Sequence, residues 1–292
     1  MQTYTKVMIY SMTGYGKSVL QLPTKKISIE LKSLNSKSID LSVRIPSIYK
    51  AKELDIRKRI AKTLTRGKVD FSIYVETTAD DTSTQINQPV VKQYMQQLKA
   101  VADADDAELL KMAIRLPDAL NTVREEVNED EWTQISSEID KALNAISSYR
   151  LDEGKVLEQD FKDRITTIGN LLEDVIKIDP ERVEAVRERL HKGVSELKEK
   201  YDENRFEQEL VYYIEKYDIT EEKVRLTNHL DYFITTINSE DSNGKKLGFI
   251  AQEIGREINT IGSKSNFAPM QQLVVQMKDE LEKIKEQLLN AL

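Results

Sequence analysis

The chain has 292 residues, of which 32% are charged and only 7% aromatic, and its formal net charge at pH 7 is −7. It has no cysteine, which excludes a disulfide framework, a thiol nucleophile and a cysteine-ligated metal site. No apolar run approaches the roughly 18 residues that a membrane span needs, and the N-terminus lacks a signal-peptide pattern, so we expect no membrane contact and a cytoplasmic location.

Charge is unevenly distributed along the chain. Residues 1–76 hold fifteen Lys or Arg against six Asp or Glu, a net of +9, whereas the remainder is net −16. This asymmetry predicts either a polyanionic partner for the first quarter or neutralisation of the acidic body within the fold or an oligomer. Charge by itself favours neither interpretation.

The first quarter has the pattern of a small α+β unit. Alternating apolar residues predict strands at 26–34 and 38–45, which the short connection Asn35–Lys37 would join as an antiparallel pair. A helix with a basic outer face and a third strand are predicted to follow. We therefore take 1–78 as a basic α+β domain, followed by a linker.

The rest of the chain is predicted to be mostly helical. Five apolar residues step by four, three, four and three, as in a seam between paired helices: Phe161, Ile165, Ile168, Leu172 and Val175. Asp179-Pro180 is predicted to break this helix, because proline favours the first turn of a new helix. The division is a middle region, 89–178, and a helical C-terminal domain, 180–292, within an α+β fold that has long paired helices.

The segment 244–266 holds the densest set of functional side chains. A helix is predicted from Leu247 to Ile261, and Glu253 and Glu257 lie four residues apart on it, so they share a face. Carboxylates on facing helices can hold Mg²⁺ or Mn²⁺, ions that activate water for phosphodiester cleavage. Such pairs are also common on charge-rich helices, so their spacing alone leaves both readings open.

Two further groups accompany this segment. His229 lies four residues after Arg225 and seven after Glu222, which places all three near one face of a predicted helix; a structural role for this histidine is the alternative. A basic set near the N-terminus has only Tyr15 and Tyr74 as nearby stacking aromatics, which favours a surface that reads a nucleic-acid backbone. Its members are Lys32, Asn35, Lys37, Arg44, Arg66 and Lys68.

Several motifs together resemble the YicC/YloC family of endoribonucleases. They include SMTGYG at 11–16, RGKV at 66–69, Arg150 with Glu153-Gly154, and the long stretch 244–265. The resemblance covers nearly the whole chain in order. The chain departs from the family in having lysine at 32 and 37, where arginine is frequent, which keeps the charge but loses bidentate phosphate geometry.

The resemblance implies a metal-assisted endoribonuclease that acts on RNA as a homo-oligomer, with a hexamer favoured. Combined with the patterns above, it assigns a Mg²⁺ or Mn²⁺ site to Glu222, Glu253 and Glu257. The catalytic candidates are His229, Glu253, Glu257 and Arg256. The RNA-binding candidates are the basic set near the N-terminus with Arg225, Lys245, Lys246 and Lys264. Two alternatives stay open: a non-catalytic RNA-binding adaptor that presents RNA to another nuclease, and a structural coiled-coil protein.

Overall fold

The computed structural model describes residues 9–77, 84–101, 104–122, 128–195, 203–239 and 244–292. Strands lie in the first part of the chain and helices dominate the rest, so the predicted α+β class is confirmed. The chain divides into two compact units. The sheet unit contains 15–32 and 38–146, and the helical unit contains the described residues up to Gly14 together with 33–37 and 147–292.

The sheet unit is built on a four-stranded sheet with the order β1-β2-β4-β3. Its elements are β1 (Gly14–Gln21), β2 (Lys25–Leu34), β3 (Ile39–Arg44), a 3₁₀ turn (Ser47–Lys52), α1 (Glu53–Leu64) and β4 (Gly67–Thr77). Every second residue of β2 and β4 is buried, against α1 and the first part of a long helix, α4 (Glu129–Ser195). The opposite face of the sheet carries polar side chains, as a period of two requires.

The predicted antiparallel pair of β2 and β3 is wrong. β3 pairs instead with β4, in parallel, with Ile39 opposite Gly67 and Arg44 opposite Ser72. A parallel pair needs a crossover connection, and α1 supplies it. Because the buried residues of β4 include Val69 and Phe71, β4 takes a central position in the sheet, while the half-buried β3 lies at its edge.

A small subassembly completes the sheet unit. It contains β5 (Thr84–Ile86), α2 (Gln88–Val101), α3 (Asp106–Ala113) and β6 (Leu120–Thr122). β5 and β6 form an antiparallel pair, and Val91, Ala113 and Ala119 make a small core of their own.

The helical unit consists of the second part of α4 and four later helices. These are α5 (Glu203–Lys216), α6 (Thr220–Ile237), α7 (Gly244–Lys264) and α8 (Ala268–Leu288). The predicted seam on α4 is buried, and the Phe161 ring meets Phe233 of α6 edge-on at 6.2 Å between centroids. α7 packs against both α6 and α8. No helix in the described ranges combines the length and apolar character that crossing a bilayer requires.

The helix break predicted at Asp179-Pro180 is wrong, because Pro180 lies inside the continuous helix α4. A network of buried charges surrounds the proline. Asp179 accepts hydrogen bonds from Arg182 at 2.7 Å and from Lys223 of α6 at 2.8 Å, and Arg182 also donates to the Tyr217 carbonyl at 3.0 Å. Proline removes one N–H from the helix, and the contacts with Lys223 and the Tyr217 carbonyl tie this part of α4 to later residues of the chain.

Candidate active site

An ion pair joins the end of α7 to the start of α6. The Lys264 ammonium, at the end of α7, donates to Glu222 Oε1 at 2.8 Å and to the Asp218 carbonyl at 2.9 Å. Glu222 belongs to the first turn of α6. Since the end of one helix meets the start of the other, α6 and α7 run antiparallel.

This register brings His229 and Glu257 to the same level of the helix pair. His229 lies seven residues after Glu222, and Glu257 lies seven residues before Lys264, so each is two helical turns, or about 10 Å, from the ion pair on the same face. His229 is half-buried and Glu257 is only 4% exposed. Among the described residues neither side chain has a hydrogen bond or an ion pair. Both therefore keep hydrogen-bonding positions that no described residue fills, and we call the strip of α6 and α7 that carries Glu222, His229, Glu257 and Lys264 the groove.

The two carboxylates predicted to act together have different surroundings. Glu257 is buried, whereas the Glu253 side chain is 50% exposed and has Arg256 as its ion-pair partner, at 4.0 Å. Four residues of α-helix advance by about 40° beyond a full turn, which is enough to place Glu257 in the groove and Glu253 at its rim. Glu253 and Glu257 thus lie one turn apart on α7, as predicted, but only Glu257 is buried.

The predicted metal ligands do not form a metal centre within one chain. Across the described ranges, no group of three or more His, Asp or Glu side chains is placed to hold a metal ion. Glu222 Oε1 is engaged by Lys264, and only Glu222 Oε2, which is buried without a hydrogen-bond partner, is open to a further ligand. The Lys264 ammonium thus already neutralises one of the two buried carboxylates of this set.

Lysines lie at both ends of the groove. Lys246 and Lys264 are eighteen residues apart on α7, which is five turns and about 27 Å, so they share a face. The Lys246 ammonium lies 5.5 Å from the ring centroid of Tyr232, one turn beyond His229 on α6. Lys245 is exposed, and Arg225 is exposed and paired with Glu221. Arg225, Lys246 and Lys264 therefore lie on or beside the groove, whereas Lys245, next to Lys246, points to a different face of α7.

Arg256 has a different location. It lines a cavity that α7 forms with Lys285 of α8, rather than the groove shared with α6. Adjacent residues of a helix differ by about 100° around its axis, so Arg256 and Glu257 point in different directions. The structure does not bring Arg256 together with His229.

The predicted basic set is divided between the two units. In the sheet unit Lys32, Arg44 and Lys68 are exposed on the polar face of the sheet, and Arg66 is half-buried before β4. The Lys32 ammonium lies 5.9 Å from the ring centroid of the exposed Tyr15. Asn35 and Lys37 are exposed after β2 and belong to the helical unit.

Comparison with known proteins covers almost the whole chain. Residues 9–159 match the family model described as "Endoribonuclease YicC-like, N-terminal region", and residues 175–291 match "Endoribonuclease YicC-like, C-terminal". The chain belongs to the YicC-like endoribonuclease family. Two curated relatives, each a probable endoribonuclease YicC, align over 97% of this chain and 99% of their own length: the protein of Clostridioides difficile (strain 630) at 34% identity and that of Haemophilus influenzae at 28%. The predicted membership is confirmed, and it assigns the chain to the RNA-cleaving hydrolases.

Part of the motif set that resembles the YicC-like family has a packing role. The Arg150 guanidinium is buried, and its Nη2 donates to the Met12 carbonyl at 2.9 Å and to Ser33 Oγ at 2.8 Å. Burial lowers the pKa of Arg150. Thr13 donates to Glu153 Oε2 at 2.7 Å, which ties the SMTG segment to α4 a second time. These residues hold the helical unit together, away from the groove.

Sequence reasoning missed two side chains beside the site. Tyr232 is three residues from His229, a spacing that could have marked it as a neighbour, but one tyrosine among twelve gives a weak signal. Lys285 could not have been found, because its position next to α7 depends on how α8 packs.

Proposed function

We propose that this chain cleaves RNA endonucleolytically in the groove between α6 and α7. The observation that supports this most is the register of that groove, which puts an imidazole and a buried carboxylate at one level, both without protein partners among the described residues, in a chain of the YicC-like family. Lysines at both ends of the groove suit a polyanionic strand.

In this proposal His229 and Glu257 carry the proton transfers. Glu257 accepts the proton of the attacking water as the new P–O bond forms. Protonated His229 donates its proton to the leaving oxygen as the scissile P–O bond breaks, a role that suits imidazole because it exchanges protons near neutral pH. The Lys264 ammonium, about 10 Å further along the helix pair, binds a neighbouring phosphate of the strand.

The exposed cations hold the strand. Arg225, Lys245 and Lys246 bind phosphates near the groove. The basic set near the N-terminus binds the RNA backbone elsewhere; its members are Lys32, Asn35, Lys37, Arg44, Arg66 and Lys68. Because these groups contact phosphates, they give affinity and little base preference.

Divalent-metal assistance, by Mg²⁺ or Mn²⁺, is also part of the proposal, with Glu222, Glu253 and Glu257 as candidate ligands. The unpartnered Glu222 Oε2 supports an ion at that end of the helix pair, and Glu257, about 10 Å away, would belong to a different ion. The described residues of one chain do not bring three ligands together, so an ion here would need oxygen ligands from RNA or from a second subunit. A homo-oligomer, with a hexamer favoured by the family resemblance, and a cytoplasmic location complete the proposal.

A cleavage assay tests these points separately. End-labelled RNA is incubated with highly purified protein in Mg²⁺, in Mn²⁺ and in EDTA, and fragments are resolved on a denaturing gel. Cleavage that persists in EDTA refutes the metal requirement, and full cleavage by Glu253→Gln excludes Glu253 as an essential ligand. RNA binding without cleavage in any metal favours the adaptor alternative.

The other histidine of the chain, His191, provides a matched control for the catalytic assignment. His229→Ala is expected to lose cleavage and keep RNA binding, whereas His191→Ala, on an exposed part of α4, is expected to keep both. Full cleavage by His229→Ala would overturn the proposed proton transfers.

A further inference from the structure

An open surface cavity of about 520 Å³ lies on α7, with Lys285 of α8 on its edge, in the helical unit. Its lining side chains are two cations, two amides and two hydroxyls: Arg256 and Lys285, Gln252 and Asn259, Thr260 and Ser263. No carboxylate lines it, although the chain as a whole carries more acidic than basic residues. Its charge therefore complements an anion.

The two cations are weakly committed to other partners. The Arg256 side chain is 73% exposed, and its ion pair with Glu253, at 4.0 Å, is at the limit of such contacts. Lys285 pairs with Glu282 at 2.8 Å, three residues away on exposed helix surface. Exposed pairs of this kind contribute about 0–1 kcal/mol, so both cations can turn to a phosphate at little cost.

The cavity depends on the arrangement of α7. Gln252, Arg256, Asn259 and Ser263 step by four, three and four residues and so form one exposed stripe of the helix. Beside the stripe is Gly255, where an added Cβ would lie 3.1 Å from Leu281 Cδ2 and 3.5 Å from Lys285 Nζ. The glycine thus leaves the space into which Lys285 reaches.

The hydrogen-bonding groups fit a ribonucleotide. Thr260 Oγ1 and Ser263 Oγ donate to backbone carbonyls of α7, each at 3.0 Å, so toward the cavity they offer acceptor lone pairs. Arg256, Lys285 and the amide groups supply the donors that phosphate oxygens need. A ribose 2′-hydroxyl is a donor that the Thr260 and Ser263 oxygens can accept.

An aromatic side chain extends the same stripe. Phe249 lies three residues before Gln252 and is exposed. Aromatic rings beside cationic side chains are a common platform for single-stranded bases. The stripe therefore offers a stacking surface followed by donors for a phosphate.

We propose that this cavity binds one nucleotide of the RNA strand outside the cleavage groove, with Arg256 and Lys285 on its phosphate and Phe249 under a neighbouring base. The identity of the polymer rests on the proposed function; the anion site rests on the cavity itself. Arg256 is then a binding residue, so Arg256→Gln is expected to weaken RNA affinity.

The test measures binding of a fluorescein-labelled single-stranded RNA by anisotropy, in EDTA and low salt. The double variant Arg256→Gln/Lys285→Gln is expected to bind about tenfold to hundredfold more weakly, because it removes both cationic hydrogen-bond donors of the cavity. The matched control, Lys278→Gln/Lys283→Gln, removes two cations of α8 that do not line the cavity, and its affinity is expected to change less than threefold. Phe249→Ala is expected to weaken binding about fivefold or more.

Three outcomes would overturn the proposal. The first is unchanged affinity in the double variant. The second is an equal loss of affinity in the control, which would indicate an effect of net charge alone. The third is a changed molar mass of the double variant by light scattering, which would make the cavity a contact between subunits. Because binding is measured without turnover, the loss of affinity supports the cavity even if the chain cleaves nothing. If the double variant cleaves RNA normally and binds it with unchanged affinity, the binding role of the cavity is rejected and the proposed cleavage function stands.

Discussion

Replacing Asp179 by asparagine tests whether a buried charge network stabilises α4 where Pro180 interrupts its hydrogen bonding. Asp179 lies between two cations, Arg182 Nε at 2.7 Å and Lys223 Nζ at 2.8 Å. The side chains of Asp179 and Arg182 are only 12% and 4% exposed. Asp179→Asn keeps the shape of the side chain and removes its charge.

The expected loss of stability follows from this burial. Removing one partner of a buried ion pair costs about 3–5 kcal/mol, because the other charge is left uncompensated. The asparagine oxygen still accepts one hydrogen bond, and Lys223 is partly exposed to water. We therefore expect the free energy of unfolding to fall by about 2–3 kcal/mol.

The effect has a defined pH dependence. Burial by itself would raise the pKa of Asp179, but the hydrogen bonds from Lys223 and Arg182 outweigh burial and hold that pKa below its usual value. A carboxyl whose pKa is lower in the folded state stabilises the fold above its unfolded pKa of about 3.9, and this contribution is lost as the pH falls through the folded pKa. The difference between wild type and variant should stay constant from about pH 5 to 8 and shrink below about pH 4.

Urea unfolding followed by circular dichroism, at one fixed protein concentration, measures this difference. The control is Asp174→Asn on the same helix, whose partner Lys177 is also 2.8 Å away but whose side chain is half exposed. It should cost less than about 1 kcal/mol. Equal losses in the two variants, or a loss for Asp179→Asn that grows below pH 4, would refute the argument.

Three further predictions follow from the site and the packing. His229→Ala should slow RNA cleavage by about 10²–10⁴-fold, as expected for loss of one acid–base group, with RNA affinity within about threefold of wild type; gel-based rates and anisotropy measure the two, and equal losses in both would argue for a binding role. Gly154→Ala should lower the melting temperature by several degrees, since the new Cβ would lie 2.0 Å from the Ile9 carbonyl oxygen, whereas Gly169→Ala on the same helix has no atom within 4 Å and should be neutral or stabilising. RNA affinity should fall with salt, with a slope of log K against log [salt] of about −4 if about six phosphates are contacted, and a slope near zero would remove the basic surface from the binding model.

The candidate site was only partly predictable from the sequence. Glu222, His229, Glu257 and Lys264 were all selected from their spacing and from the family resemblance. Their grouping into one groove depends on the antiparallel register of α6 and α7, which the Glu222–Lys264 ion pair fixes. Spacing along one helix gives angles around that helix, but it does not give which face meets a neighbouring helix.

Features that depend on neighbouring residues were correctly predicted from the amino-acid pattern. The apolar stripe of α7, from Leu247 to Ile261, is buried as its period of three and four required, and the α+β class follows from similar local patterns. Family membership was also readable, because its motifs are short and occur in order.

Other features depend on residues far apart in the chain, and these could be seen only in the folded structure. β4 lies between β2 and β3, although a strand that follows a crossover helix can pair on either side of the sheet. α4 continues through Pro180, where Arg182 and Lys223 donate hydrogen bonds to Asp179. Arg256 lies next to Lys285 and not next to His229 because of how α8 packs on α7. Each of these outcomes depends on at least one contact between residues far apart in the chain, such as Lys223 with Asp179, which no local period encodes.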